Sequence, residues 1–461
     1  MAGGYLFTQS RCSFQSYKKL LDENLPTALN GKHYSGLTKH ETDIFKTLQI
    51  SQSILNEAPI LENIINLLSW SGNAFMGISL MAAILDKKET ELLDPLEMGV
   101  SLHILHKEQD KERYDIHRLV RRVRQEQIPL SDKSEWVKNV CQRLGDWFEE
   151  RRQKFTDLPT FEAELDHLKQ WLNHVLPISN YHSARLTWLQ AYPPYHWGKY
   201  KESQLLVQSA FTLLSENSEE DPKLKANIIN DMGATYSQFG EFQKALEYHM
   251  QALEIRQQTF GEHHSDMAMS YNNIGSAHGY LGDDKKALEY KLRALEICQQ
   301  LFGEQHPDTA ISLSNVGKSY GELGDHKKAL EYKLRALEIH EKIFGERHPD
   351  TATSLNNVGY TYREMGNYNE AIKYLARAFD IYCQLLGELH QNTAVALFNL
   401  IYSLIKLKRF PEAGERLDDY LERLPQDHPN FKYLSGLKKD IQTEKRKGLH
   451  GMPGKKKNKK R

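Results

Sequence analysis

Apolar residues in the second half of the chain recur at the spacing of amphipathic helices, and the pattern repeats with a period of 42 residues. Ala310, Leu313 and Val316 lie three residues apart, which places them on one face of a helix. Gly324 interrupts this pattern, and a second apolar run follows until Gly345. We therefore predict that each unit is a pair of helices, and that the pairs stack because one pair cannot bury its apolar faces alone.

Small residues and whole segments keep this period. Residues 285–297 and 327–339 are identical in sequence. The repeating small residues are Gly233, Gly275, Gly317 and Gly359, then Gly240, Gly282, Gly324 and Gly366, and Ala245, Ala287, Ala329 and Ala371. The register continues to Gly198 upstream and to Ala413 downstream, although other positions have changed there, as is expected of the units that cap an array.

The order of small, aromatic, glycine and alanine positions resembles the tetratricopeptide repeat. The segments Phe-Gly-Glu-x-His-Pro-Asp-Thr-Ala at 302–310 and 344–352, with the 42-residue period, are similar to the kinesin-light-chain subtype of this repeat. The resemblance implies a right-handed helical solenoid that binds protein or peptide partners.

Four histidines keep the period just before predicted helix starts: His264, His306, His348 and His390. We interpret them as loop residues that precede the helices. Metal binding is the alternative, but no Cys or second His lies at ligand spacing from them. We therefore expect no metal site.

The N-terminal third is not repetitive. The predicted helices cover 14–21, 44–55, 60–70, 77–85, 89–98 and 119–125. Two short runs at 101–105 and 113–116 flank a polar segment, and this arrangement predicts a β-hairpin. Helices combined with a small hairpin suggest a winged-helix module.

A second resemblance covers residues 1–130. Leu-Leu-Ser-Trp at 67–70 and Tyr-Asp-Ile-His-Arg-Leu-Val at 114–120 are similar to the opening and closing segments of the winged-helix part of STAND-class ATPases of the NB-ARC type. In that family the histidine of the closing segment approaches the phosphates of bound ADP, and His117 is the matching position. The sequence contains no Gly-x-x-x-x-Gly-Lys-Ser/Thr loop, so we interpret His117 as a structural residue of the hairpin.

These patterns predict an all-α fold class, with a tetratricopeptide helical solenoid preceded by a small winged-helix-like helical module. The expected parts are a remnant helical segment at 1–45, the winged-helix-like module at 46–130, a helical connector at 131–185, the solenoid at 186–430, and a final helix with a disordered basic tail at 431–461. In the connector, Trp136, Leu144 and Trp171 belong to apolar stripes that we expect to pack against the first repeats.

The composition is typical of a soluble protein, with 40% hydrophobic and 26% charged residues among 461. The four cysteines are scattered, which suits a reducing compartment, and the start of the sequence lacks the pattern of a signal peptide. We therefore expect a cytoplasmic location. The uncharged segment 63–85 is long enough to cross a bilayer, but the polar residues at its centre favour a turn between two buried helices, so we expect no transmembrane segment.

The C-terminal residues 438–461 carry eleven Lys or Arg against Asp440 and Glu444. A solubilising tail is the plainest interpretation. The alternatives are a nuclear-import-like patch, a nonspecific contact with nucleic acid or an acidic membrane, and a secretion tail. A nuclear location or a secreted bacterial effector therefore stays open.

Catalytic motifs are absent from the sequence. It contains no Gly-x-Ser-x-Gly, His-Glu-x-x-His or Cys-x-x-Cys segment, and its carboxylates are dispersed at helical spacing. We expect no enzyme activity, no cofactor and no small-molecule substrate. Two hypotheses follow: a scaffold that binds peptide segments of a protein partner through its repeats, and a regulatory C-terminal fragment of a STAND-class NTPase that acts with a separate nucleotide-binding chain.

Four asparagines supply the candidate site, and we call them the asparagine row: Asn273, Asn315, Asn357 and Asn399. They keep the period and lie two residues before the small position of each first helix. The tetratricopeptide resemblance implies that this position faces the inner surface of the solenoid. A side-chain amide both donates and accepts hydrogen bonds, so the row could bind the backbone of an extended peptide.

Four neighbouring candidates on the same surface are Lys318, Tyr360, Arg363 and Tyr402. The basic residues that clamp a terminal carboxylate in chaperone-tail-binding relatives are replaced by Ile311, Ser314 and Thr353. We therefore expect an internal peptide segment with acidic and apolar residues. The alternative is that the asparagines only bind the adjacent helix and stabilise the stack.

Overall fold

A computed structural model describes residues 58–102, 104–117, 120–121, 124–125, 130, 133–152, 158–215, 221–425 and 431–450. The predicted helices at 14–21 and 44–55, the remnant segment at 1–45 and the end of the basic tail lie outside the described residues. The chain divides into two compact units, and the boundary lies between Leu224 and Lys225.

The first unit contains a small mixed module followed by helices. Its elements are α1 (Pro59–Trp70), β1 (Met76–Gly77), α2 (Ile78–Leu85), α3 (Glu89–Ser101), β2 (Leu105–Lys107), β3 (Arg113–Ile116), α4 (Ser134–Arg152), α5 (Leu158–Ala163), α6 (Leu165–Val175), α7 (Asn180–Gln190), α8 (Tyr192–His196) and α9 (Tyr200–Ser215). Helices α1, α2 and α3 correspond to the runs predicted at 60–70, 77–85 and 89–98.

The three strands form an antiparallel sheet in the order β1, β3, β2. The sequence places the first hairpin strand at 101–105, but helix α3 continues to Ser101 and the strand begins at Leu105. Leu105, the first residue of this strand, packs against Gly99 of α3, where an added Cβ would lie 2.6 Å from Leu105 Cδ1. Strand β1 was not predicted, because its two residues are too few to show an alternation of apolar and polar positions.

The uncharged segment 63–85 forms parts of α1 and α2 with strand β1 between them. In the described part of the chain, no helix combines the length and the apolar character that crossing a membrane requires.

The aromatic stripes of the connector form the core of the first unit. Trp171 is fully buried, and its indole N–H donates to Ser71 Oγ over 3.0 Å. The rings of Phe148 and Phe161 pack edge to face with centroids 4.6 Å apart. Helices α4 and α6 contact α7, and α4 also contacts α2. The connector therefore packs on the mixed module as well as on the helices that follow it.

The second unit is a series of helix pairs that begins within α10 (Pro222–Gln238). The further helices are α11 (Phe242–Phe260), α12 (Ser265–Tyr280), α13 (Asp284–Phe302), α14 (Pro307–Glu322), α15 (His326–Phe344), α16 (Pro349–Glu364), α17 (Tyr368–Leu385), α18 (Gln391–Lys406), α19 (Phe410–Arg423) and α20 (Phe431–His450). Each second helix also packs on the next first helix. For example, Leu295 of α13 joins Leu313 and Val316 of α14 and Ile339 of α15 in one apolar cluster.

Two residues after the end of each first helix the chain has positive φ, which glycine adopts without strain. The residues are Gly240, Gly282, Gly324 and Gly366, with φ between 73° and 82°. Lys408 takes the same position in the last pair and has φ 60°. The backbone turn is therefore kept even where the glycine has been replaced.

A second glycine position sets how closely the two helices of a pair approach. An added Cβ would lie 2.9 Å from the Ala287 carbonyl oxygen at Gly275, and 3.0 Å from that of Ala329 at Gly317. Distances this short exclude a side chain without movement of the second helix. The first helix therefore presents bare backbone at the centre of each of these pairs.

The residue of the second helix that covers this glycine is basic in three pairs: His249, Lys291 and Lys333. Lys291 and Lys333 are only 2% and 7% exposed, and their Nζ atoms donate to Ser319 Oγ over 3.0 Å and to Thr361 Oγ1 over 2.9 Å. Leu375 occupies the same register in the next pair. We call Lys291 and Lys333 the buried lysines.

Replacing Gly317 by Ala should destabilise the second unit, because the new methyl group would overlap Lys333 Cγ at 2.9 Å. We expect the free energy of unfolding, measured by urea denaturation, to fall by about 1–3 kcal/mol, the usual cost of overpacking. Gly414 of α19 is the matched control, since a Cβ there meets nothing within 4 Å. Gly414→Ala should stabilise the protein by up to about 1 kcal/mol. Equal effects of the two substitutions would contradict the close approach.

The buried lysines should make the protein less stable at neutral than at alkaline pH. Desolvation lowers the pKa of each to about 8, below the ordinary value of 10.5. Between these values the unfolded chain binds protons that the folded chain has released, so the free energy of unfolding rises with pH. The variant with Lys291→Leu and Lys333→Leu lacks this dependence.

Urea denaturation at about pH 7 and about pH 10 measures this dependence. At the lower pH, the free energy of unfolding of the double variant should be about 2–4 kcal/mol higher than that of wild type. This difference should be smaller at the higher pH. Lys327→Leu, at an exposed position of the same helix, is the control and should show no such change. A difference between wild type and double variant that stays constant with pH would contradict the assignment.

Candidate functional site

The first helices of three consecutive pairs line one cavity of about 520 Å³, which we call the groove cavity. Helices α14, α16 and α18 supply most of its wall, and α15 supplies His326 and Lys333. Five of the eight predicted site residues lie in this wall: Asn315, Asn357, Asn399, Lys318 and Tyr360. The other wall residues are Ser314, Gly321, Glu322, His326, Lys333, Asn356, Thr361, Glu364 and Val395.

Two members of the asparagine row present unbound amides to the groove cavity. Asn315 and Asn357 are half-buried and stand at the same position of successive units. Neither side chain forms a hydrogen bond with any residue that the structure describes. Since each amide has donors and an acceptor, both can bind a further polar group in the cavity.

The two outer members of the row are bound to neighbouring side chains. Asn273 Nδ2 donates to Asn230 Oδ1 over 2.8 Å. Asn399 is buried, donates to Asn356 Oδ1 over 3.2 Å and accepts from Arg363 over 2.8 Å. The interpretation that the asparagines stabilise the stack therefore describes Asn273 and Asn399, whereas Asn315 and Asn357 have no such contacts.

Arg363 lies between the rings of Tyr360 and Tyr402, with its guanidinium carbon 4.4 Å and 5.0 Å from their centroids. It also pairs with Glu364 over 2.8 Å. Cation–π contacts and ion pairs of this kind fix a long side chain in one position. Arg363 and Tyr402 are absent from the cavity wall, but through Asn399 and Tyr360 they hold two residues of that wall in place.

Lys318 lies at the exposed end of the cavity. Its Nζ is 3.8 Å from Glu322 Oε1 and 5.5 Å from the centre of the Tyr280 ring. Its charge is therefore partly engaged within its own helix.

Lys333 is one of the wall residues that are not among the eight predicted from the sequence. It lies four residues after Ala329 and four before Leu337, on the apolar face of α15. A lysine at such a position is unusual, since burial penalises its charge. This break in the apolar pattern is the signal that could have identified it.

The four periodic histidines are helix caps. The rings of His264, His306, His348 and His390 each accept a hydrogen bond through Nδ1 from the backbone N–H two residues later, over 3.1–3.2 Å. Three of these rings also stack on the phenylalanine four residues earlier, with centroids 4.3–4.5 Å apart. Their recurrence therefore has a structural cause.

His117 follows strand β3 in the first unit. Its backbone N–H donates to the Ile104 carbonyl oxygen over 2.9 Å, and its ring lies 5.4 Å from that of His106. The residue is half-buried and joins the end of the hairpin to the chain after α3.

Three solved structures show similarity to this chain over about half of its length or more. The STAND protein with a tetratricopeptide repeat sensor from Pyrococcus horikoshii is 16% identical, with a TM-score of 0.54, over 96% of this chain and 70% of that chain. BtubC (BKLC) from P. vanneervenii is 25% identical, with a TM-score of 0.40, over 48% and 88%. A Rap protein complexed with Competence and Sporulation Factor is 17% identical, with a TM-score of 0.44, over 69% and 94%.

No curated protein matches the sequence significantly. The model of the tetratricopeptide repeat family matches residues 224–296, 266–342, 323–384 and 350–426. These overlapping matches coincide with the helix pairs of the second unit, so residues 224–426 consist of tetratricopeptide repeats.

Proposed function

We propose that the chain is a non-enzymatic scaffold whose repeats bind an extended, internal peptide segment of a protein partner in the groove cavity. The observation that carries this proposal is the pair of unbound amides, Asn315 and Asn357, at one position of successive units. An extended peptide offers an N–H and a C=O at regular intervals, and a carboxamide can bind either group. Binding through the backbone makes little demand on the side chains of the peptide.

The surroundings support such a role. Glu364 pairs with Arg363, and Asn356 accepts a hydrogen bond from Asn399. These contacts hold polar residues of the wall near the two free amides in place. A fixed wall reduces the entropy that binding costs. The cavity volume of about 520 Å³ lies within the range of pockets that hold a small ligand, which corresponds to a few residues of a peptide.

The test uses the full chain and a displayed library of random peptides with blocked termini. A selected peptide is measured by fluorescence polarisation against wild type and against the variant with Asn315→Ala and Asn357→Ala. We expect the variant to bind about tenfold more weakly or worse, since several hydrogen bonds are lost. Its free energy of unfolding should stay within about 0.5 kcal/mol of wild type, because neither amide has a hydrogen-bond partner among the residues that the structure describes.

Asn392→Ala is the matched control, because Asn392 is exposed at the start of α18 and does not line the groove cavity. It should leave the affinity unchanged. A large loss of stability with intact affinity in the double variant would mean that the two asparagines are structural, and the proposal would be wrong.

A second candidate is a regulatory fragment of a STAND-class NTPase. It is favoured by the helical module with a three-stranded sheet and by the position of His117 directly after strand β3. Because the sequence contains no phosphate-binding loop, we expect isothermal titration calorimetry of the full chain with ADP to give no binding signal. Micromolar affinity that His117→Ala removes would favour this second candidate over the scaffold.

A further inference from the structure

The ion pairs around the groove cavity leave out Lys333 among the described residues. Lys318 is 3.8 Å from Glu322, and Arg363 is 2.8 Å from Glu364, so each carboxylate of the wall has its own cation. Lys333 has no carboxylate within ion-pair distance among the described residues. The wall holds two lysines and two carboxylates, and Lys333 is the lysine left without an ion pair to a described residue, because Glu364 pairs with Arg363 from outside the wall.

The ammonium group of Lys333 is also short of hydrogen-bond partners. Its Nζ donates to Thr361 Oγ1 over 2.9 Å, and it lies 5.8 Å from the centre of the Tyr360 ring. An ammonium has three N–H donors, and the hydroxyl uses one of them. Burial without a counter-charge costs free energy, which an anion placed in the cavity would recover.

The fold does not require a lysine at this position. Leu375 occupies the same register one pair later and covers Gly359 in the same way as Lys333 covers Gly317. Lys291 stands one pair earlier, is equally buried and donates to Ser319, but it does not line the groove cavity. Lys291 thus shares the burial of Lys333 and differs from it in access to the cavity.

We propose that Lys333 is the specificity-determining residue of the groove cavity, and that it selects peptides with an anionic side chain at one fixed position. The anion is the carboxylate of Asp or Glu, or the phosphate of a phosphorylated residue. This inference rests on the proposed function, in which Asn315 and Asn357 bind the peptide backbone. The asparagines then supply affinity for an extended chain, and Lys333 supplies the preference among sequences.

The experiment repeats the peptide selection with the full chain as wild type, Lys333→Leu and Lys291→Leu. Both leucine variants should fold, because leucine is the natural residue of this register at position 375, and their melting temperatures check this. Wild type and Lys291→Leu should enrich Asp or Glu at one position of the selected peptides. Lys333→Leu should lose this enrichment.

A selected peptide is then synthesised in three forms, with Asp, Asn or phosphoserine at the enriched position and with an amidated C-terminus. Changing Asp to Asn should weaken binding to wild type and to Lys291→Leu at least about tenfold, as for other buried charge pairs. Binding to Lys333→Leu should be the same for both forms. Tighter binding of phosphoserine than of Asp would identify phosphate as the preferred anion, and the reverse order would identify carboxylate.

Two outcomes would overturn the inference: wild type that binds the Asp and Asn forms equally, or Lys333→Leu that still prefers Asp. The variant with Asn315→Ala and Asn357→Ala separates this failure from that of the proposed function. If that variant loses affinity while Lys333→Leu keeps the preference, only the role of Lys333 is wrong. If that variant binds as wild type does, or if wild type enriches no peptide, the groove proposal fails and the inference fails with it.

Discussion

In three consecutive pairs, the close contact between a glycine of the first helix and the backbone of the second helix is the constraint on which the packing depends. At Gly275, Gly317 and Gly359 the carbonyl oxygen of an alanine in the second helix lies 2.9–3.2 Å from where a Cβ would stand. The bare backbone must still be covered, and the side chain four residues after that alanine covers it. When this residue is lysine, its stem lies on the glycine and its ammonium reaches the first helix of the next pair. The chemistry of the cavity wall is thus a consequence of helix packing.

Much of this architecture could be predicted from periodicity, because helix pairs, turns and small positions are local features that repeat with the sequence. The placement of Asn315 and Asn357 on a common surface also follows from their register. Whether an asparagine is free or bound does not follow, since Asn399 is held by Arg363 and Asn356, which come from the neighbouring helix. The sequence pattern gives the position of an amide, but the stacked neighbours decide its partners.

For the two buried lysines, too, the sequence does not predict the surroundings of the side chain. They lie in segments of identical sequence, yet Lys291 donates to Ser319 and does not line the groove cavity, whereas Lys333 lies in the cavity wall beside Thr361. The difference comes from residues 28 positions further along, on the first helix of the next pair. The sequences of the two lysine segments cannot predict which lysine lines the groove cavity, because the residues around each lysine come from the next helix pair.

The near identity of helices α13 and α15 bears on how the array can change over generations. Their shared segments, 285–297 and 327–339, carry the same packing residues, so each could meet the neighbours of the other without a new kind of interface. Unequal recombination between the two stretches of the gene would remove or add one complete helix pair and would keep the 42-residue period of the repeats. The surface that carries the asparagine row therefore grows or shrinks by whole helix pairs, each of which brings its own asparagine.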